Sequence, residues 1–453
     1  NLRADGSVVT AGTMVCAGGL TIGSQGPTPT RYGLAITNGG RLVASGGVTI
    51  GSGKPSNTVF VTGGSGVTSY WANGAATLVV GSVNGGSTNL LVVDGAGVDG
   101  SAVLTNFNGI TIGDNSGAHG NTVIITNKGW VTALGGLLVG VNNSSNNTLV
   151  LAQGGKLKLG ATSTVGQAPG AGTAPYGNQV IIRDAGSVLD LGNSALYLSY
   201  QYLSAANSLQ VLDGGLVTNG YIQMGYSSEC PYTMVLVSNG NVYVSGGTSA
   251  SLEIGSGTGG TLSTAIVTGV NAVFSAGNNN IIVGKGGAAN NNVMLIDNGA
   301  LVTNVASMII GYATSPGAFN NTLIITNGGR LYSSGGSISW YGPNYSNTIV
   351  VTGTNSIWSI GGGVLYLGGG GAGSPTNNTL IVANNGTVTN LGQLLMQSSL
   401  GSVIVTNGGR LASTGTARLG NNYPSNIVTV TGIGSGWSLA SGDLALREGE
   451  GDF

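Results

Sequence analysis

The side chains that could do chemistry in this chain are few, and their spacing limits what that chemistry could be. Asp184 and Asp213 occupy the same place in two successive repeats, with Arg183 and Asp190 close in sequence. Two carboxylates ~5 Å apart would attract a cation or share a proton. β-Helical lyases and hydrolases need more than that: acids clustered on neighbouring coils, or acids beside an Arg or Lys base. Here 14 acidic residues, 13 basic residues and one histidine are spread along 453 positions. Asp at this position also reads as a plain replacement for Asn in a turn. His119 lies in the loop from Asp114 to Gly120 with no Cys or second His beside it. Cys16 and Cys230 fall seven coils apart, ~34 Å at the spacing of stacked strands, so no disulfide can join them within one chain. They are expected to be unpaired or to bridge two molecules. No phosphate loop, zinc spacing or nucleophile elbow is present. Residue type and spacing therefore predict no catalytic residue, no cofactor and no metal.

The elements that carry these residues are repeats. Asn320 to Gly342, NNTLIITNGGRLYSSGGSISWYG, gives the unit: an Asn pair, an apolar run, a turn at Asn327-Gly328-Gly329, a second short strand from Arg330, a Gly pair and a third strand. Glycine at this density would cost a helix about 1 kcal/mol per residue, and each run is too short for one. Three short strands per period with Gly-rich corners predict a right-handed, single-chain parallel β-helix of about sixteen coils and three sheets. The repeats form one domain over 1–446, leaving a short tail over 447–453.

The third strand recurs with a closing glycine, as in Ile110-Thr111-Ile112-Gly113, Ile281-Ile282-Val283-Gly284 and Met308-Ile309-Ile310-Gly311. Asparagine begins most first strands, among them Asn57, Asn121, Asn147, Asn178, Asn207, Asn321, Asn347, Asn378 and Asn426. Stacked ~4.8 Å apart, these amides are expected to bond one to the next along a corner that lacks ladder bonds. A second column, including Asn38, Asp94, Asn127, Asp184, Asp213 and Asn327, marks the turn after the first strand, where left-handed backbone suits Asn and Asp.

Glycine supplies 86 residues, yet 41% of the chain is apolar, too much for a disordered Gly-rich polymer. Charged residues make up 6% and the net charge is −1, which leaves little self-repulsion and no basic footprint for nucleic acid. No run approaches the ~20 apolar residues of a membrane span, so no membrane insertion is expected.

The segments NNTLIITNGGRL, SNTIVVTGTNSIWSIGGGVLYLG and SNIVTVTGIGSGWSLASGDLAL resemble the repeat shared by bacterial type V secretion (autotransporter) passengers and PEP-CTERM surface proteins. The marks are the TG-x-x-x-x-W step (Gly353 to Trp358, Gly432 to Trp437, with Phe274 in place of Trp after Gly269) and the recurring TNGG. The likeness spans almost the whole chain. It implies a β-helical protein exported to the bacterial surface, with the chain from Asn1 expected to be the mature form after loss of an export signal. Neither a translocating barrel nor a PEP-CTERM sorting tail is seen after Gly449.

Alternation in the first strand places Val59, Val61, Leu323, Ile325, Ile349 and Val351 inward. The outward column between them is expected to be Ala35, Phe60, Leu91, Ile124, Val150, Ile181, Gln210, Val235, Ile266, Met294, Ile324, Val350, Ile381, Ile404 and Thr429. An apolar stripe of that length calls for a cover, from the chain's own Pro- and Tyr-bearing loops or from a neighbouring subunit. At the ends, Arg3 and Asp5 are expected to meet Arg447, Glu448 and Glu450 of the next subunit, with Phe453 as anchor. Phe60, Ile124, Ile324 and Ile381 would serve lateral contacts. The function expected is thus a non-enzymatic extracellular structural protein that partners with itself. An adhesin presenting variable loops is the alternative, and surface polysaccharide is a second class of partner.

Overall fold

The computed structural model describes residues 7–24, 31–64, 66–83, 85–170, 174–226, 230–247, 250–313, 316–369, 374–420 and 423–446. The chain is an all-β parallel solenoid of about fifteen turns, as the right-handed β-helix expectation requires. Among the described residues no helix is long and apolar enough to cross a membrane. The chain divides into two compact units. One is Asn1–Tyr221 with Gly240–Val242, and the other is Ile222–Asn239 with Tyr243–Phe453.

Within each unit the first strands pair only with first strands, in parallel and in unbroken register. Thr58–Thr62, Leu90–Asp94 and Thr122–Thr126 are successive rungs in one unit. Thr322–Ile325, Thr348–Thr352 and Thr379–Ala383 are successive rungs in the other. Three strands per coil stand as expected, with one refinement: second and third strands belong to one hydrogen-bonded sheet. The joining comes from strands such as Val273–Lys285 and Leu301–Tyr312, which turn the corner without breaking. Each bends at an Asn in left-handed backbone, Asn278 at φ 67° and Asn304 at φ 53°, a conformation that Asn tolerates better than most side chains. Several corner amides are used again. Asn219 donates to Asp190 Oδ1 at 3.0 Å, Asn304 to Ser275 Oγ at 2.9 Å and Asn390 to Ser359 Oγ at 2.8 Å.

The core is the column of inward side chains. Val59, Val61, Leu323, Ile325, Ile349 and Val351 are fully buried, as are Trp71, Phe107, Phe274 and Trp358. Trp71 meets Phe107 edge-on at 5.8 Å, and Trp358 Nε1 donates to Ser333 Oγ at 2.9 Å, satisfying the one polar atom of its ring.

The asparagine ladder forms as expected. In the first unit the side-chain amides run from Asn57 through Asn89, Asn121, Asn147 and Asn178 to Asn207 at 2.8–3.0 Å per step. In the second, Asn292, Asn321 and Asn347 repeat it. Each Oδ1 also accepts the backbone N–H of the preceding Asn, so one carbonyl serves two donors. The third strand's closing glycine explains where the amides fit. A Cβ on Gly81, Gly140, Gly284 or Gly311 would fall on the side chain of Asn121, Asn178, Asn321 or Asn347. The glycine column and the asparagine column are two halves of one corner, and only a residue without Cβ leaves room for the amide.

Candidate assembly surfaces and the acidic positions

The acidic positions cap backbone. Asp184, in left-handed backbone after strand Gln179–Arg183, accepts the Gln153 N–H on Oδ2 at 3.1 Å. Asp213 occupies the equivalent left-handed turn, since Arg183 pairs with Leu212. Asp190 lies at a different corner and accepts from Gly192 N at 3.0 Å and from Asn219. Among the described residues, no three His, Cys, Asp or Glu side chains are grouped to hold a metal. His119 uses Nδ1 to accept the Ser145 N–H at 3.1 Å. No disulfide joins Cys16 and Cys230; the first is half-buried and the second buried.

One polar pair escaped the sequence reading. Glu253, on the outer face of its third strand yet buried, meets Lys285 Nζ at 2.5 Å and accepts from Gln223 Nε2 and Ser256 Oγ at 2.8 and 2.6 Å. The two charges sit one coil apart, an offset that only the register of Ile254 with Val283 reveals.

The outward stripe of the first sheet needs three corrections. Leu91, Val235 and Met294 face the core and are buried; Val92, Leu236 and Leu295 take their places outside. The runs Leu90–Val93 and Val293–Ile296 are apolar at every position, so alternation could not phase them. The corner Asn does: the outward residue is the third after Asn57, Asn89 and Asn292 alike. The corrected column remains apolar. Phe60 is 43% exposed, and Ile124, Ile324 and Ile381 are half-buried. The loops do not seal this face. Phe319 and Tyr345, each just before a first strand, pair through backbone and stack their rings at 4.8 Å and 5°. The outer face that is covered belongs to the third strands, where Ala250, Ile282 and Ile309 are buried with Tyr312 and Trp340 packed on them.

The first and last described coils are less buried than the coils they pair with. Val403 and Val405 are buried, but their partners one rung on, Val428 and Val430, are half-buried and 46% exposed. Ala417 is buried, whereas its partner Leu444 is 49% exposed and the neighbouring Leu446 is 70% exposed. At the other end Met14 and Cys16 are half-buried over fully buried Leu42 and Ala44. Arg3, Asp5, Arg447, Glu448, Glu450 and Phe453 lie outside the described residues.

No family model matches the chain. No curated protein sequence matches it either. Among solved structures, it is similar to the crystal structure of a TibC-catalysed hyper-glycosylated TibA fragment, residues 55–350. That match has 13% identity over 96% of this chain and 98% of the fragment, at a TM-score of 0.29. At that level the match carries no weight for function, which has to be argued from the chain's own geometry.

Proposed function

We propose that this chain is a non-enzymatic structural protein of the bacterial surface that associates with copies of itself side by side, through the apolar outward column of its first strands. The observation that carries the reading is that column within each unit, where Phe60 is 43% exposed and Ile124, Ile324 and Ile381 are half-buried. Fully burying an apolar side chain contributes about 1.5–3 kcal/mol, so completing the burial of Phe60, Ile124, Ile324 and Ile381 against a second copy would contribute several kcal/mol. Surface location is supported by the resemblance of the repeats and by a composition that is uncharged and poor in reactive groups.

Sedimentation velocity over a concentration series, with negative-stain microscopy, tests this. The wild-type chain should form oligomers, and Phe60→Lys with Ile324→Lys should leave a folded monomer. A wild-type chain that remains monomeric when concentrated would overturn the reading.

A further inference from the structure

We infer that a shallow groove at the corner between second and third strands, in the unit containing Val273–Gly361, is a binding site for an uncharged oligosaccharide. It has a volume of about 190 Å³ and is lined from four consecutive coils by Asn278, Thr303–Val305, Tyr332–Ser334, Ser359 and Gly361. The corner is stepped. Register pairs Ser275 with Thr303 and Asn279 with Val305, so four positions in one coil (279 − 275) answer two in the next (305 − 303). It then pairs Val302 with Leu331 and Val305 with Ser333, three positions against two. The longer corner stands up as a wall carrying Asn278. The shorter ones form a floor, and Gly361, which has no side chain, leaves the far side open.

The floor and the rim differ in how their polar atoms are used. On the floor, Ser333 Oγ accepts from Trp358, Ser359 Oγ accepts from Asn390, and Asn304 donates to Ser275. These bonds fix the floor's geometry. On the rim, the Asn278 amide and the hydroxyls of Thr303, Tyr332 and Ser334 make no side-chain hydrogen bond among the described residues, and Tyr332 is 41% exposed. A rigid cleft with convergent free amide and hydroxyl groups beside one aromatic face suits a polyhydroxylated ring: hydroxyls to the polar rim, the ring's C–H face to Tyr332. No charged side chain lines the groove, so an acidic sugar or a phosphate would find no counter-charge there. An extended peptide would need a free sheet edge, and the strands here are paired on both sides. Four coils span ~14 Å along the stacking direction, the length of a short oligosaccharide.

The test is saturation-transfer NMR and affinity electrophoresis of the full chain with cellohexaose, maltohexaose and chitohexaose, against oligogalacturonate as the acidic comparator. At least one neutral probe should bind at millimolar concentration or below. Tyr332→Ala should weaken that binding about tenfold, Tyr332→Phe by less, and Asn278→Ala measurably. These positions are exposed, so circular dichroism should stay that of the wild type. No binding by any neutral probe, a preference for oligogalacturonate, or equal binding by Tyr332→Ala would overturn the assignment. The site does not depend on self-association. Sedimentation run in parallel keeps loss of glycan binding and loss of polymer as separate results.

Discussion

If Gly284 is glycine because the Asn321 amide occupies the space of its Cβ, the two positions must be strongly coupled although they lie on different coils. Gly284→Ala places a Cβ at φ 76°, which costs about 1–2 kcal/mol in left-handed backbone. It also drives the amide out of its corner. The amide makes four hydrogen bonds. Its Oδ1 accepts from Asn292 N at 3.1 Å and Asn292 Nδ2 at 2.9 Å, and its Nδ2 donates to Asn347 Oδ1 at 3.0 Å and Ala289 O at 2.8 Å. Losing it strips the buried Asn292 N–H and the Ala289 carbonyl of these partners, at about 1–3 kcal/mol each.

Asn321→Ala should therefore cost about 3–5 kcal/mol and Gly284→Ala about 4–7. The double variant loses the amide once and keeps only the backbone strain, so it too should cost about 4–7 kcal/mol, where simple addition gives about 7–12. Solenoids unfold locally, so the readout is hydrogen exchange in peptides covering Val273–Lys285 and Thr322–Ile325, with urea midpoints alongside. Additivity within ~0.5 kcal/mol would refute the shared-corner account.

Three further outcomes are expected of the same structure. Burial raises the Asp114 carboxyl above its ordinary range, so the folded state binds the proton more tightly than the unfolded chain and stability falls as pH rises between the two values. Asp114→Asn should then stabilise at neutral pH and lose that advantage below the unfolded pKa; a constant difference across a thermal-melt pH series would contradict it. Lys285→Met leaves the buried Glu253 charge without its cation and should cost about 3–5 kcal/mol in urea unfolding, partly recovered by adding Glu253→Leu. Ile324→Lys, in the half-exposed outward column, should cost less than ~1.5 kcal/mol, whereas Ile325→Lys, one residue on and inward, should prevent folding; circular dichroism decides whether the facing is right.

The sequence disclosed the features that repeat. Asn at the start of the first strand, Gly at the end of the third and alternation between them recur often enough to specify fold and coil boundaries. Their relation stayed hidden, because Gly284 and Asn321 lie in different repeats and meet only when one coil is laid on the next. The phase of Leu90–Val93 and Val293–Ile296 was illegible for a different reason: a strand apolar at every position carries no alternation to read. Glu253 with Lys285, and the stepped corner from Asn278 to Gly361, were missed because each depends on where coils differ in length. A repeat pattern averages such differences away. The contacts expected of Arg3, Asp5 and Arg447 to Phe453 fall outside the described residues, so self-association is argued from the outward column of the first strands instead.

The same register accounts for the low charge. In a parallel solenoid each position faces its counterpart ~4.8 Å away on the next coil, so a charged residue in the repeat would stack on its own kind. At an effective dielectric near 20, two like charges at that distance repel by about 3 kcal/mol. The chain places its cations accordingly. Arg41 pairs in register with Thr13 and Tyr70 and lies 4.9 Å from the Tyr70 ring. Arg330 is held between Leu301 and Ile357, and Arg410 between Thr387 and Gly436. Where charges do approach across coils they are opposite, as in Glu253 with Lys285 and Asp99 with Lys156. Asp184 and Asp213 are the like pair in one column, and both sit at turns open to solvent, with Asp184 turned onto a backbone N–H. Asn and Thr carry the corners and faces because, unlike Asp or Lys, each can both donate to and accept from its own copy. A chain built this way pairs its corner amides without charge, and its faces then carry little to repel a second copy.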